Sequence, residues 1–150
     1  MILLVCIMRV FNCGCSYVIV LDKWEKVTDS LRNFAREHGI SSGFFFGIGA
    51  VKDPKIGYYD VFTKEYVEKT LSGEFEVISL VGNITLDEDG NVIVHAHISL
   101  GDNQYRVYGG HLIQALVSVT LELLFIPTIA LKRVFDEKTQ LKLIRFACVE

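Results

Sequence analysis

Three of the four histidines in this 150-residue chain sit in one stretch, as His95-Ala96-His97 and, after a turn, Gly109-Gly110-His111. Successive side chains on a β-strand point to opposite faces, so His95 and His97 project from the same side. A hairpin return brings His111 back towards them. Three neutral imidazoles on one face form a ligand set for Zn²⁺, at about 2.0–2.1 Å per nitrogen, with a fourth position left for water or a small ligand. Other divalent transition metals that favour imidazole are the alternatives. The competing reading is that these are ordinary strand histidines making hydrogen bonds.

Hairpin register decides whether the three converge. A two-residue loop at Asp102-Asn103 sets His97 opposite Tyr108 and turns His111 to the wrong side. A three-residue loop, 102–104, sets His97 opposite Gly109 and His95 opposite His111. Directly paired residues share a face with Cβ atoms about 4.5–5.5 Å apart. An irregular bend at Gly109-Gly110 is a second route to the same convergence. Glu122 and Thr120, on the polar face of the long strand that follows, are candidate outer partners of the histidines. Glu122 is also the candidate catalytic residue, a general base towards water at the metal. A buried structural carboxylate, or one at a subunit contact, is an equal reading of it. His38, at a helix end, reads as a partner of the C-terminal helix dipole.

The elements that must position these residues follow from length and patterning. One hundred and fifty residues make one domain, 1–150, with a substantial core. Hydrophobic residues make up 51% and mean hydropathy is +0.36, high enough to point to apolar surface hidden between subunits. The net charge of −3 has its Lys and Arg scattered, so no linear basic tract supports nucleic-acid binding. Cys6, Cys13, Cys15 and Cys148 lack the paired CxxC pattern of a zinc ribbon. They read as reduced thiols of an intracellular, cytoplasmic protein, with Cys13 and Cys15 on one strand face. The apolar start, Met1 to Met8, has neither a basic leader nor a cleavage site, and Met1 and Met8 are equal candidates for the first residue, the second making 1–7 an extension. Residues 112–131 are apolar, but Glu122 interrupts them and Val117, Val119, Leu121 and Leu123 alternate with polar neighbours. That is a long two-faced strand and not a membrane span.

Residues 17–21 (YVIVL) read as a strand. Asp22-Lys23-Trp24-Glu25 has the form of a capping box, with Asp22 as N-cap, opening a helix of about four turns. Its apolar stripe is Trp24, Val27, Leu31, Phe34 and Ala35, and Gly39 is its stop. Residues 43–51 (GFFFGIGAV) lack the third glycine of a dinucleotide loop and read as a buried strand admitting close backbone approach. Asp53-Pro54-Lys55 reads as a turn, followed by strands at 56–62 and 66–71. A further strand spans 74–86 with a bulge at Gly82, and Asp89-Gly90 marks a hairpin. Two last strands, 129–135 and 141–146, flank a charged turn. There is no Gly-x-Ser-x-Gly, no HExxH and no triad pattern. The whole implies an α+β fold, a mainly antiparallel sheet with one principal helix on one face.

The chain resembles the plants-and-prokaryotes-conserved (PPC) domain. The residues that carry the resemblance are Gly47-Ile48-Gly49-Ala50, Gly57-Tyr58-Tyr59-Asp60, Gly73-Glu74-Phe75-Glu76-Val77-Ile78 and Ser79-Leu80-Val81-Gly82-Asn83-Ile84. His95 to Asp102, Gly109-Gly110-His111-Leu112 and Thr120-Leu121-Glu122 complete the set, which covers residues 8–146. The resemblance implies a homotrimer, with His95, His97 and His111 holding a metal commonly taken as zinc in stand-alone prokaryotic members. Plant relatives join this domain to an AT-hook, a basic arm for the DNA minor groove, and use the Gly-Glu-Phe-Glu-Val-Ile position to recruit partners. These 150 residues contain no such arm.

Three functions follow as expectations. The first is a trimeric, metal-binding module for ligand binding or assembly. The second is a zinc-dependent hydrolase of a small substrate using Glu122. The third is a DNA-associated regulator.

Overall fold

The computed structural model describes residues 8–145. Residues 1–7, which include Cys6, and residues 146–150, which include Phe146 and Cys148, lie outside them. In chain order the elements are β1 (Arg9–Asn12), β2 (Tyr17–Asp22), α1 (Val27–Glu37), β3 (Gly43–Asp60), β4 (Glu65–Thr70), β5 (Glu74–Asp87), β6 (Val92–Gly101), β7 (Val107–Pro127), β8 (Lys132–Asp136) and β9 (Leu141–Arg145). All nine strands belong to one sheet. β3, β5, β6 and β7 pair antiparallel in a closed circuit, while β2 extends it from β7 and β4 from β3. The fold is mainly β with one helix, as the patterning requires. One pairing is parallel, β8 with the end of β5.

Alternation decides which sheet face is covered. Ile19, Leu21, Phe45, Leu80, Leu121, Leu123 and Phe125 point inward and meet Val27, Leu31, Phe34 and Ala35 of α1. Phe34 packs edge-on to Phe125, ring centroids 5.2 Å apart, a geometry worth about 0.5–1.5 kcal/mol beyond area burial. The opposite face carries the residues between them. There Phe44 pairs with Asn83 and Ile126, Phe46 with Val81 and Leu124, and Ile48 with Glu122. Residues 43–51 are thus buried on one face only; Phe44, Phe46 and Ile48 are exposed.

Several local expectations are corrected. The helix begins at Val27, and Lys26 is its N-cap, without a side-chain cap bond. Glu25 does reach back to the Asp22 N–H, at 2.6 Å, as a capping box would. But Trp24 has φ +75° and its N–H donates to the Val117 carbonyl, while the Val117 N–H donates to Glu25. Those bonds tie 24–26 to β7, so the helix starts later, runs 11 residues and leaves Trp24 exposed. Its early Thr28 N–H is taken by Gln114 Oε1 at 3.0 Å. Gly39 ends it as expected, at φ +63°.

Asp53-Pro54-Lys55 does not separate strands. It is a bulge inside the 18-residue β3, where the register with β7 slips and Asp53 takes φ +47°. The bulge in β5 lies between Val77 and Ser79 and not at Gly82, whose missing Cβ is replaced by the Phe45 ring. Cys13 and Cys15 sit in the turn between β1 and β2, free and exposed, instead of on a strand face. The apolar run 112–131 is largely strand β7, and no helix among the described residues is long and apolar enough to cross a membrane.

Candidate metal centre

His95 and His97 come from β6 and His111 from β7. The loop joining these strands is longer than either sequence alternative. Gly101 pairs with Val107, so residues 102–106 form it. Asp102 makes the wide loop stable: its Oδ1 accepts the N–H groups of Gln104 and Arg106 at 2.8 and 3.0 Å, and Tyr105 sits at φ +61°. The register therefore slips by two from the expected one. His97 pairs with His111, and Gly109 faces Ser99. A slip of two keeps every side chain on its face, so the convergence survives the error. Ring centroids lie 5.3 Å apart for His95 and His97, 5.2 Å for His95 and His111, and 5.6 Å for His97 and His111. One ring nitrogen from each falls within 4.8 Å of the others.

The C-terminal hairpin walls this site. Arg133 of β8 is buried, 7% exposed. It donates from Nη2 to Asn83 Oδ1 at 2.9 Å, from Nε to Thr85 Oγ1 at 3.0 Å and from Nη1 to the Lys142 carbonyl at 2.8 Å. Its Nη2 also lies 3.1 Å from Nδ1 of His95. Lys142 in turn pairs with the buried Asp87 at 2.7 Å, and the Tyr59 hydroxyl donates to the Thr139 carbonyl at the hairpin tip. Tyr66 packs on His111 at 4.9 Å. A cavity of about 230 Å³ remains, with His95, His111, Tyr66 and Arg133 among its walls.

Burial first, then the Arg133 charge and the other two imidazoles, holds the His95 pKa down to about 4. His111 is lowered as well, by burial and then by His97 and Arg133. Both are therefore neutral at pH 7, the state that a metal ligand requires. Nδ1 of His111 is buried with no hydrogen-bond partner among the described residues, an arrangement that a native fold rarely leaves unused. Neutral imidazoles, one with an orphaned buried nitrogen, fit a divalent transition metal.

The lowered pKa values carry a stability consequence. Unfolded histidines take up a proton near pH 6.5, whereas native His95 resists it until about pH 4. Between these values the unfolded chain binds more protons, so stability falls as pH falls. In chelator-treated protein, the melting temperature is expected to drop from pH 6.5 to 4.5, and His95→Gln is expected to make that drop shallower. Identical slopes for the two proteins would contradict this account of His95.

Residues 8–128 match the family described as the Plants and Prokaryotes Conserved (PCC) domain. The chain belongs to the PPC family. No curated protein matches it. Solved structures similar to this PPC chain include a Pyrococcus horikoshii plant- and prokaryote-conserved protein, at 33% identity and TM-score 0.81, covering 93% of this chain and 95% of that one. A protein from Archaeoglobus fulgidus described as metal-containing matches at 35% identity and TM-score 0.81, over 93% and 96% of the two chains. One from Bacteroides thetaiotaomicron, named as a candidate DNA-binding protein, matches at 26% and TM-score 0.89, over 93% and 98%.

Glu122 is not brought to the imidazoles within this PPC chain. It shares their sheet face, but His97 pairs with Val81, Val81 with Phe46 and Phe46 with Leu124. Those are three strand spacings, on the order of 15 Å. No carboxylate joins the histidine cluster among the described residues. Glu122 lines a separate apolar hollow with Phe46, Ile48 and Leu124. Its role as general base therefore has no geometry within one subunit, and neither has Thr120 as an outer partner. Arg133, whose side chain does come within hydrogen-bond distance of a histidine, is a residue that sequence reasoning missed. It lies far along the chain in an unremarkable charged strand, and only the β5–β8 pairing brings it there. His38 is placed as expected, its Nδ1 3.1 Å from the Phe34 carbonyl at the helix end.

Proposed function

We propose that this PPC-domain protein binds one divalent transition metal, zinc above others, through His95, His97 and His111, and works as a homotrimeric module for ligand binding or assembly. One observation carries the metal reading: a ring nitrogen from each histidine lies within 4.8 Å of the other two, with His95 and His111 lining a cavity beside them. The metal-containing description of the Archaeoglobus relative supports it. When bound, zinc supplies a Lewis-acid centre with an open position. The chain's own residues would shelter it, with Tyr66 packed against the His111 ring. Elemental analysis of protein purified without added metal or chelator is expected to give close to one ion per chain, with an anomalous-scattering peak between the three rings. Protein that stays metal-free after dialysis against zinc would end this reading.

The outward face supports self-association. Phe44, Phe46, Ile48, Val81 and Ile126 lie side by side and are each 44–60% exposed, an apolar patch of the kind that marks a protein contact. His97 is the cross-strand neighbour of Val81, so the histidines stand at the rim of this patch. Phe46→Glu is expected to convert a sedimenting trimer into monomer. A wild-type monomer at micromolar concentration would remove the trimer. DNA binding is not adopted, because the chain carries a net charge of −3 and phosphate binding needs clustered cations.

A further inference from the structure

We propose that Arg133 makes the histidine site a binding place for a small oxyanion, of carboxylate or phosphate type, that enters together with the metal. This rests on the metal reading above. Arg133 is 7% exposed, and its partners are a hydroxyl, an amide oxygen, a backbone carbonyl and an imidazole. No carboxylate among the described residues pairs with it, and the adjacent Asp87 is engaged by Lys142. A buried guanidinium without a counter-charge is costly. The imidazoles carry no negative charge to offset it, and a divalent cation beside it adds two more positive charges. An anion in the shared cavity balances both.

The hydrogen bonds point the same way. Arginine has five N–H donors, and the four bonds above leave one on Nη1. A second is released on metal entry, whichever nitrogen of His95 becomes the ligand. If Nδ1 ligates, the ion takes the lone pair that Arg133 now holds. If Nε2 ligates, the imidazole proton moves to Nδ1 and faces a donor. Either way the Arg133–His95 bond breaks, and the freed fork of donors has the geometry that suits a carboxylate or phosphate. Metal-ligating histidines ordinarily give their second N–H to an acceptor; here the neighbour is a cation, which serves a negatively charged guest better than it serves the ring. The cavity of about 230 Å³, which Tyr66 also lines, has room for a small one.

The test is Co²⁺ titration followed by its visible absorption, at neutral pH and matched ionic strength in perchlorate, acetate or sulfate. Wild type is expected to bind at least threefold more tightly in acetate or sulfate than in perchlorate, and Arg133→Met to bind equally in all three. A gain in acetate alone assigns a carboxylate guest, and a gain in sulfate a tetrahedral one. In perchlorate the variant should bind about tenfold more tightly than wild type, because a neighbouring positive charge is gone. No difference between salts in wild type overturns the proposal, as does a difference that persists in Arg133→Met. Weaker binding by the variant in perchlorate also overturns it, by making Arg133 a support for His95. Should Arg133→Met fail to fold, Arg133→Gln asks the same question. If wild type shows no His97-dependent Co²⁺ signal, the metal reading itself fails; if that signal is present without the salt effect, only the oxyanion does.

Discussion

His97→Ala is expected to remove stoichiometric metal from the protein while leaving it folded. His97 is the exposed member of the trio, and its ring is the cross-strand neighbour of both His111 and Val81, so its loss opens no core cavity. Two imidazoles cannot complete the tetrahedral set that a zinc site requires. The loss in affinity should exceed the roughly 10–100-fold that follows removal of an outer partner. Metal per chain after gel filtration should fall from near one to background, with an unchanged far-ultraviolet circular dichroism spectrum. Retention of metal by this variant would sink the three-histidine assignment, wherever else the ion then proved to be.

Gly47→Val should be among the most destabilising single changes in the sheet. Gly47 lies between Leu80 of β5 and Leu123 of β7. A Cβ there would run into the Glu122 carbonyl oxygen and the Leu123 side chain, with the Leu123 Cα only 3.0 Å away. Backbone atoms of the central β3–β7 ladder cannot retreat without breaking hydrogen bonds, so the strand must move. A loss of about 3 kcal/mol or more is expected, which for a chain of this size lowers the melting temperature by on the order of 10 °C. Gly101→Ala is the control. Its nearest neighbour is the flexible Ile78 Cδ1 at 3.3 Å, and it should cost less than about 1 kcal/mol. Equal melting temperatures for the two variants would show that β3 can shift without penalty.

The spacing His95-x-His97 was enough to place two imidazoles on one face, and a third after a short return was enough to suggest a site. The exact pairing was not readable, because Asp102 builds a five-residue loop where a three-residue one was expected. The site was still found because registers two apart leave every side chain on the same face. A slip of one would have removed it. The helix was legible in its apolar stripe and its Gly39 stop. Its start was not, since the bonds from 24–25 to Val117 compete with the capping box and win. Pro54 suggested a turn, yet β3 absorbs it in a bulge. The alternation of the long strand places Glu122 on its polar face, but the distance from the histidines depends on how many strands intervene, which no local pattern records.

By itself, then, the sequence determined the strand alternation, the single helix, the family motifs and the grouping of three imidazoles. Each follows from residues a few positions apart, where backbone geometry alone fixes direction. Only the tertiary structure decided which strands lie side by side, that the β8–β9 hairpin folds over the site, and that a buried guanidinium meets His95. Those outcomes depend on contacts between residues tens of positions apart, set by packing and loop closure over the whole chain and not by any local periodicity.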